Sequence, residues 1–353
     1  MQTLILTKPG ELVLADTPAP SAPGPGEARV RVRCSGVCGT DLHAFAGNQP
    51  YFTYPRIPGH ELGVEVVATG AGVTNVHAGD HCAVEPYLSC GHCIACRRGR
   101  TNCCETLQVL GVHVDGGWRD EIVVPAAKLH GSKTLTFEQL ALVETLGIGA
   151  HAVARGAPEL AESTLVVGAG PIGLAVAQFA VEAGAQVTVL DVSETRRTFA
   201  ARWLGVNALD ARGLTPDGLR TALGGDLPTL VFDATGSPVA MRQAFLWPAQ
   251  GGRIVFASLV QGEVAFDDPN FHRRELTVYA TRNSTAVEFR RIIALIESGR
   301  IDTAPWVTHR APLADVPKVF ADWTRPETGV IKAMIGLSAH GLLTTKNTNH
   351  TKG

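Results

Sequence analysis

Residues 164–191 read TLVVGAGPIGLAVAQFAVEAGAQVTVLD, a pattern that a β-α-β unit accommodates and few other structures do. An apolar run leads into the turn that begins at Gly168, a helical pattern follows, and a second apolar run ends at Asp191. Gly168 allows the tight turn, Gly170 lets a pyrophosphate approach the backbone, and Gly173 lets helix and strand pack closely. The segment therefore predicts a dinucleotide site with the phosphates at the helix N-terminus. A glycine-rich turn that binds no nucleotide is the alternative.

The acid that ends this segment predicts which dinucleotide binds. The carboxylate of Asp191 would accept hydrogen bonds from the adenosine ribose hydroxyls and repel a 2′-phosphate, which favours NAD over NADP. Arg196 and Arg197 lie close enough in the sequence to make NADP a conceivable alternative. The candidate cofactor-binding residues are Gly168, Gly170, Pro171, Ile172, Gly173, Asp191 and Arg196.

The two parts of the chain differ in their patterns. After Asp191, strand-like and helical runs alternate, with Ser193 predicted to cap one helix and Thr285–Glu288 to form a capping box. This alternation is typical of a doubly wound parallel sheet. The first 140 residues instead contain short alternating runs such as ARVRVRC, separated by Gly and Pro. These runs predict an all-β barrel with loops.

Length, composition and charge limit the possible classes of protein. The 353 residues are enough for two domains, and 45% apolar with 18% charged residues suits a globular chain with a sizeable core. The formal net charge of −2 gives no basic field, so we expect neither nucleic acid nor a membrane as a partner. The N-terminus does not read as a signal peptide, and no apolar run has the length of a membrane span. We therefore expect a cytoplasmic protein.

Five cysteines fall within the stretch CGHCIACRRGRTNCC. Cys90, Cys93 and Cys96 repeat as C-x-x-C-x-x-C, a spacing that lets neighbouring sulfurs converge on one zinc ion. The spacing allows either Cys103 or Cys104 as the fourth ligand. A site closed by four cysteines has no open position, so it would be structural. A disulfide or redox pair is the alternative, and it fits a cytoplasmic chain poorly.

A second group of residues also has the chemistry of a zinc site. Cys38 lies in the glycine-flanked turn SGVCGTDLH, and His60 and Glu61 lie in IPGHELG. A thiolate and an imidazole suit zinc, and either Glu61 or Glu144 could supply a carboxylate as the third ligand. Such a site keeps one position open for water or substrate, so it would be catalytic.

The order and approximate spacing of three motifs resemble the zinc-dependent medium-chain dehydrogenase/reductase family of alcohol and polyol dehydrogenases. The motifs are GHE, the C-x-x-C-x-x-C loop and VVGAGPIG, and the resemblance extends from Met1 to about Gly336. It implies an α/β protein that combines a GroES-like β-barrel catalytic domain with a Rossmann doubly wound parallel-sheet domain. The implied boundaries are a catalytic domain at 1–145 with a structural-zinc lobe at about 88–106, a Rossmann NAD-binding domain at 146–288, a return to the catalytic domain at 289–340 and a polar tail at 341–353.

The resemblance also implies metal ligands. Cys38 and His60 match two ligands of the family's catalytic zinc, and Asp41 would orient the site. Glu144 falls where alcohol dehydrogenases carry a cysteine, which looks like the sorbitol dehydrogenase branch, and Glu61 is the other candidate for the third ligand. The lobe spacing of the family selects Cys104, so that the structural-zinc ligands are Cys90, Cys93, Cys96 and Cys104.

The implied chemistry uses two zinc ions per chain and NAD. The catalytic zinc would lower the pKa of a substrate hydroxyl, and a hydride would pass to the nicotinamide. Thr40 would accept the alcohol proton, and His43 would relay it through the cofactor ribose to water. A surface or capping role is the alternative for His43. We expect His151 to be a loop residue near the nicotinamide.

The substrate class follows only by analogy. A glutamate ligand favours a secondary alcohol of a polyol, sugar or sugar acid as substrate. A threonine-type amino alcohol is the alternative substrate. A non-catalytic scaffold that binds zinc and NAD is a remote alternative. Tyr51, Phe52 and Trp118 are candidate aromatic walls of the pocket, and Arg56 and Arg119 are candidate partners of a carboxylate. A packing or surface role is the equal alternative for each of them. The family resemblance implies a homodimer or homotetramer.

Overall fold

The computed structural model of the protein describes residues 1–337, so the polar tail predicted at 341–353 lies outside the described residues. The chain forms two compact units. Unit 1 comprises Met1–Val84, Leu110–Leu142 and the chain from Val307, and unit 2 comprises Glu85–Val109 and Val143–Trp306. The domain boundaries predicted from the sequence stay predictions, because a compact unit and a sequence domain divide a chain in different ways.

Strands and helices are numbered along the chain. The strands are β1 Gln2–Lys8, β2 Glu11–Asp16, β3 Glu27–Gly36, β4 Glu61–Thr69, β5 His81–Val84, β6 Tyr87–Leu88, β7 Gln108–Val109, β8 Glu121–Pro125, β9 Leu129–Ser132, β10 Ser163–Val167, β11 Gln186–Asp191, β12 Asn207–Asp210, β13 Leu230–Asp233, β14 Arg253–Phe256, β15 Thr277–Ala280, β16 Val307–Pro312 and β17 Lys332–Gly336. The helices are α1 Gly39–Phe45, α2 Ile94–Arg97, α3 Phe137–Gly156, α4 Pro171–Glu182, α5 Glu194–Leu204, α6 Pro216–Ala222, α7 Pro238–Gln243, α8 Asp268–Arg273, α9 Ala286–Glu297 and α10 Val316–Trp323. Among residues 1–337, none of the helices is long and apolar enough to span a membrane.

The main sheet of unit 1 has the strand order β16-β17-β3-β4-β5-β9, and β8 also pairs with β3. These pairs are antiparallel except for β16 with β17. In β3, Ala28, Val30 and Val32 are buried, whereas the arginines between them are half-exposed, and Arg31 donates to Glu121 at 2.9 Å. The alternation predicted from ARVRVRC is confirmed, and it turns one face of β3 towards the core.

The sheet of unit 2 has the strand order β12-β11-β10-β13-β14-β15, and every neighbouring pair in it is parallel. Strands β10 and β11 are almost wholly buried, as expected where helices cover both faces of a sheet. The predicted doubly wound parallel sheet is confirmed. The strand order reverses beside β10, so the glycine turn after β10 lies at the switch point where such sheets bind ligands.

Each unit has a core of its own. In unit 1, the buried rings of Trp118 and Phe320 pack edge to face with centroids 5.6 Å apart. In unit 2, Leu165 and Val231 of the sheet pack in one cluster with Phe245.

Two helices of unit 2 begin where the sequence predicts. Ser193 Oγ accepts a hydrogen bond from Arg196 N at 3.4 Å at the start of α5. Thr285 and Glu288 form the predicted capping box at the start of α9. Both caps satisfy N–H groups that a helix leaves free at its first turn.

Candidate metal centres and nucleotide site

Four cysteine sulfurs lie together in the segment of unit 2 that follows β6. The Sγ atoms of Cys90, Cys93, Cys96 and Cys104 lie within 4.8 Å of one another. Backbone N–H groups point at these sulfurs, since Cys90 N lies 3.3 Å from Cys104 Sγ and Cys93 N lies 3.4 Å from Cys90 Sγ. Cys103, the other fourth ligand that the spacing allows, is exposed. We call this group the cysteine lobe.

The cysteine lobe has a chemistry that fits a bound cation. Backbone N–H groups lower the pKa of the Cys90, Cys93 and Cys104 thiols, which favours the thiolate form that binds metal. Burial, together with the neighbouring sulfurs, raises the pKa of Cys96 to about 12. Four sulfurs are the donor set of a structural zinc, whose charge would stabilise all four thiolates. The residues present therefore fit zinc.

A hydrogen-bond chain ties the cysteine lobe to two helices of unit 2. Asn102 Nδ2 lies 2.8 Å from Arg282 O and 3.1 Å from His151 Nε2. His151 Nδ1 in turn lies 2.9 Å from Glu288 Oε1. Burial raises the pKa of Glu288, but hydrogen bonds from His151 and Thr285 outweigh this effect and hold the pKa at about 2. The prediction of a loop for His151 is wrong, because α3 continues to residue 156.

The second candidate site is assembled by the register of three strands in unit 1. Gly36 of β3 faces Glu61 of β4 on one side and Met334 of β17 on the other. Lys332 lies two positions before Met334, at the start of β17. Three parts of the chain therefore lie together at one end of these strands: the residues just after β3, the residues just before β4 and the first residue of β17. This arrangement brings the ligand atoms of Cys38, His60 and Glu61 within 4.8 Å of one another.

Glu61 is bound by a lysine that sequence reasoning missed. Lys332 Nζ lies 2.6 Å from Oε1 and 2.7 Å from Oε2 of Glu61, and the two side chains are 2% and 1% exposed. The same ammonium donates to Val37 O at 3.2 Å. Glycine at position 36 makes room for this pair, because a Cβ there would lie 2.0 Å from Glu61 Oε2. A lysine inside the apolar run VIKAMIG is the signal that could have drawn attention to it.

Asp41 contacts both of the other donor residues in this cluster. Its Oδ2 accepts a hydrogen bond from Cys38 N at 2.9 Å, and its Oδ1 lies 3.9 Å from His60 Nδ1. Burial raises the pKa of Asp41, and the nearby His60 partly opposes that effect. This geometry agrees with the orienting role predicted for Asp41. A thiolate, an imidazole and a carboxylate are also the donors that a catalytic zinc takes, so the residues present fit that metal.

The two predicted relay residues lie on α1, which begins directly after Cys38. Thr40 is half-buried in the first turn of α1, and His43 is exposed in its last turn. His43 Nδ1 lies 2.9 Å from Asn48 Oδ1. Because an amide oxygen only accepts hydrogen bonds, this contact favours a proton on Nδ1 of His43.

Glu144, the other candidate carboxylate, lies in unit 2. It is buried in α3 and accepts a hydrogen bond from the Tyr87 hydroxyl. Each predicted carboxylate thus has a donor against which a metal would compete, Tyr87 for Glu144 and Lys332 for Glu61. The choice between the two as zinc ligand stays a prediction.

Three residues predicted to line a substrate pocket have packing or pairing roles in unit 1. Trp118 is fully buried, and its Nε1 donates to Ser35 Oγ at 3.0 Å. Arg56 pairs with Asp115 at 3.2 Å, and Arg119 Nε donates to a backbone carbonyl at 3.1 Å. Of the two roles considered for Trp118, the structure shows packing, since the whole ring is buried in the core and its indole N–H is satisfied there.

The glycine turn follows β10 as predicted. Gly168 has a φ of +95°, and a Cβ on Gly173 would lie 1.7 Å from Gly168 O, so both positions require glycine. Gly170 precedes Pro171, the first residue of α4, and a Cβ on Gly170 would come within 4 Å of Arg196 Nη1 alone, at 3.9 Å. Open backbone beside a guanidinium, at the N-terminus of a long helix, fits a pyrophosphate.

Asp191 ends β11 beside this turn. Its Oδ2 accepts a hydrogen bond from Ala169 N and its Oδ1 accepts one from Ser193 N, both at 2.7 Å. Carboxylate oxygens have further lone pairs, so Asp191 can also accept hydrogen bonds from ribose hydroxyls. Ile172 is half-buried in the first turn of α4. Arg197, in contrast, donates to Asp191 O at 2.9 Å, which draws its guanidinium to the strand end.

The chain matches known proteins along most of its length. Residues 24–133 match the alcohol dehydrogenase GroES-like domain, and residues 171–298 match the zinc-binding dehydrogenase family. It is 42% identical to L-galactonate-5-dehydrogenase of Escherichia coli K12 over 321 residues, which are 91% of this chain and 94% of that one. It is 33% identical to L-threonine 3-dehydrogenase of Pyrococcus horikoshii over 323 residues, 88% of this chain and 91% of that one. The alcohol dehydrogenase RspB of E. coli CFT073, crystallised with NADH, is 30% identical with a TM-score of 0.88, and the match covers 95% of this chain and 99% of that one.

These matches confirm the fold class predicted from the sequence, a GroES-like domain combined with a Rossmann domain. Identity of 42% over nine-tenths of the chain goes well beyond a shared fold. The chain therefore belongs to the zinc-dependent medium-chain dehydrogenase family, oxidoreductases that act on CH–OH groups with a nicotinamide cofactor.

Proposed function

We propose that this protein oxidises a secondary hydroxyl of a sugar acid to a ketone with NAD+, and that the preferred substrate is an aldonate oxidised at C5, such as L-galactonate. The cluster of Cys38, His60 and Glu61 is the main support for the proposal, because it could hold a metal ion in a chain 42% identical to an L-galactonate-5-dehydrogenase. The reaction moves one hydride from the alcohol carbon to the nicotinamide and releases one proton from the hydroxyl. NAD+ is thereby reduced to NADH.

The donor residues hold the metal and keep each other in place. Zinc bound by Cys38, His60 and a carboxylate, either Glu61 or Glu144, would supply a Lewis acid that makes the substrate hydroxyl more acidic. Asp41 fixes the backbone of Cys38 and faces His60, so both donors keep one orientation. The cysteine lobe would hold a second zinc, which stabilises its loop and has no position open for substrate.

The proton leaves by a path of side chains on α1. Thr40 Oγ1 would accept the proton of the substrate hydroxyl, since it lies two residues after Cys38 in the first turn of the helix. His43 Nε2 would accept a proton from the cofactor ribose and pass it to water. The contact between His43 Nδ1 and Asn48 Oδ1 supports this role, because it leaves Nε2 as the ring nitrogen available to the ribose.

NAD is the proposed cofactor. Asp191 would accept the ribose hydroxyls and repel a 2′-phosphate, while Arg196 beside Gly170 would contact the pyrophosphate. We expect wild-type kcat/KM to be higher with NAD+ than with NADP+, and Asp191→Gly to reduce that ratio by about tenfold or more. Kinetics with both cofactors test this, and a wild-type preference for NADP+ would contradict it.

A substrate screen tests the proposed reaction. NAD+ reduction is measured with L-galactonate, with aldonates that differ at C5, with polyols, with L-threonine and with primary alcohols. We expect the highest kcat/KM with L-galactonate or a C5-related aldonate. L-threonine is the second candidate because of the similarity to L-threonine 3-dehydrogenase, and a higher kcat/KM with it would overturn the sugar-acid proposal.

Two further properties belong to the same proposal. We expect a homodimer or homotetramer, which light scattering of the purified protein tests, and a cytoplasmic location. Thiolates that bind zinc support the location, since reducing conditions keep cysteines available to metals.

A further inference from the structure

A cavity of about 540 Å³ lies at an edge of the unit 2 sheet. Its lining includes Leu227, Gln250 and Arg274, which shortly precede β13, β14 and β15 respectively. All strands of this sheet are parallel, so these positions belong to the edge formed by the amino ends of the strands. The glycine turn follows the carboxyl end of β10 and belongs to the opposite edge. The cavity is therefore separate from the nucleotide site.

The lining of the cavity is positively charged. Arg220, Arg273 and Arg274 contribute three positive charges, and Asp226 contributes the one negative charge among the lining residues. The whole chain has a net charge of −2, so this excess does not reflect a basic protein. Within residues 1–337, no carboxylate lies within 4.0 Å of Arg273 or Arg274, and Arg220 reaches the fully exposed Asp226 only at 3.9 Å.

Arg274 is the fixed member of this group. It is 7% exposed, and its Nη1 donates to Phe245 O at 3.2 Å and lies 3.4 Å from Asn270 Oδ1. In the described part of the chain, its Nε and Nη2 make no hydrogen bond and are not sealed from solvent. Burial lowers the pKa of Arg274, and the charges of Arg273 and Arg220 lower it further. An anion would relieve this repulsion.

A purely structural role explains only part of this arrangement. Backbone carbonyls account for one nitrogen of Arg274, through Phe245 O, and one of Arg220, through Gly225 O at 3.2 Å, but within residues 1–337 the side chain of Arg273 makes no hydrogen bond. The lining also includes apolar side chains, Leu227 and Leu246 among them. The lining thus combines charged and polar groups with a smaller apolar part, and its volume lies within the range of about 300–1,000 Å³ that is typical of small-molecule sites.

We propose that this cavity binds a small organic anion with a phosphate or carboxylate group, which Arg220, Arg273 and Arg274 contact while Leu227 and Leu246 contact its apolar part. Guanidinium groups bind both kinds of anion through paired N–H donors. The site is independent of the proposed oxidation, since none of its residues belongs to the metal centres or the nucleotide site.

Calorimetric titration of the full chain tests the proposal, with NADH kept saturating so that the nucleotide site is filled. The probes are inorganic pyrophosphate and citrate at a constant ionic strength of about 0.1 M, and the stronger binder identifies the anionic group. We expect one site per chain with a Kd below about 1 mM. Arg273→Glu and Arg274→Met should each weaken binding by about tenfold or more, because each removes a charge-assisted hydrogen bond.

The matched control is Arg202→Glu, which makes the same change of charge at an exposed position on α5. Its Kd should stay within about twofold of wild type, since screened charges outside the cavity contribute little. If Arg274→Met fails to fold, Arg273→Glu and Arg220→Ala at exposed positions still decide the question. The proposal is overturned if wild type binds neither probe, or if Arg202→Glu weakens binding as much as Arg273→Glu.

Discussion

The cysteine lobe gathers its four sulfurs from one loop, Cys90 to Cys104, whereas the other candidate metal centre takes its donors from the ends of two paired strands, β3 and β4, and the lysine that binds its carboxylate comes from the distant strand β17. Glu61 and the lysine that binds it are 271 positions apart. The lobe needs one loop to fold, and backbone N–H groups of that loop contact its sulfurs. The donors of the centre at Cys38 meet through the pairing of β3 with β4, and Lys332 reaches Glu61 through the pairing of β17 with β3.

This difference separates stability from chemistry. A closed set of four thiolates binds a metal that contributes folding free energy and has no position for substrate. The centre at Cys38 relies on side-chain charges, those of Asp41 and Lys332, for its orientation. Substitutions in the lobe should therefore mainly change stability, and substitutions at Cys38 should mainly change turnover.

Cys38→Ala should have the largest effect. Removal of this thiolate disrupts the metal site, and loss of a Lewis acid worth several kcal/mol lowers kcat/KM by roughly 10³-fold or more. Metal analysis should find about one zinc fewer per chain, while the melting temperature changes little. Retention of full activity, or loss of the lobe's zinc as well, would break the separation between the two centres.

Cys104→Ser should produce the opposite profile. We expect the variant to lose about one zinc per chain and to melt at least about 5 °C lower, since the metal contributes to folding. Cys103→Ser is the matched control, because the neighbouring thiol is exposed and its loss should leave zinc content and melting temperature unchanged. Full zinc in Cys104→Ser, or loss of zinc in Cys103→Ser, would show that the ligands are assigned wrongly.

The same difference explains what the sequence could predict. The spacing of Cys90, Cys93 and Cys96 carries the geometry of the lobe, because a loop of this length has few ways to join its sulfurs. The doubly wound sheet was likewise predictable from local periodicity around Gly168. Within the same unit, however, the neighbours of His151 were not predictable, since Asn102 and Glu288 belong to distant segments of the sequence.

The register between strands that are distant in the sequence could not be predicted from local patterns. The pairing of Lys332 with Glu61 depends on how β17 aligns with β3, and no local pattern specifies that alignment. Trp118 shows the same limit, because its burial follows from tertiary packing and not from its aromatic type. The cavity with three arginines was also invisible, since Arg220 and Arg274 meet only in the folded unit.

Lys332→Met tests the long-range centre directly. Removal of one partner of a buried ion pair should destabilise the protein treated with a chelator by about 3–5 kcal/mol. The loss of stability should be smaller with zinc present, because the zinc ion would replace the lysine as the positive charge beside Glu61. Urea unfolding of wild type and variant, each with zinc and with chelator, measures both values, and subtraction removes the contribution of the cysteine lobe.

Lys332→Arg is the control, because it keeps a positive charge beside Glu61 and should lose much less stability than Lys332→Met. Zinc release to a chelator gives a second readout. In Lys332→Met the carboxylate is released from the ammonium, so release from the centre at Cys38 should become slower. An equal loss of stability with and without zinc would mean that Glu61 does not contact the metal.

His43→Gln should have the smallest effect of the series, because it would alter only the proposed proton path and keeps every candidate metal ligand. General-base help is typically worth about 10²–10⁴-fold, but a metal that acidifies the alcohol and water at the ribose reduce the share of His43, so we expect about a tenfold loss. The loss should be largest at low pH, where other bases are scarce, and added imidazole should partly restore the rate. Zinc content and melting temperature should match wild type.

Asn48→Ala keeps the imidazole but removes the acceptor that fixes its Nδ1 proton, so it should lose less activity than His43→Gln. An unchanged pH–rate profile in His43→Gln, measured where hydride transfer limits the rate, would exclude the relay and leave His43 as a surface residue of α1.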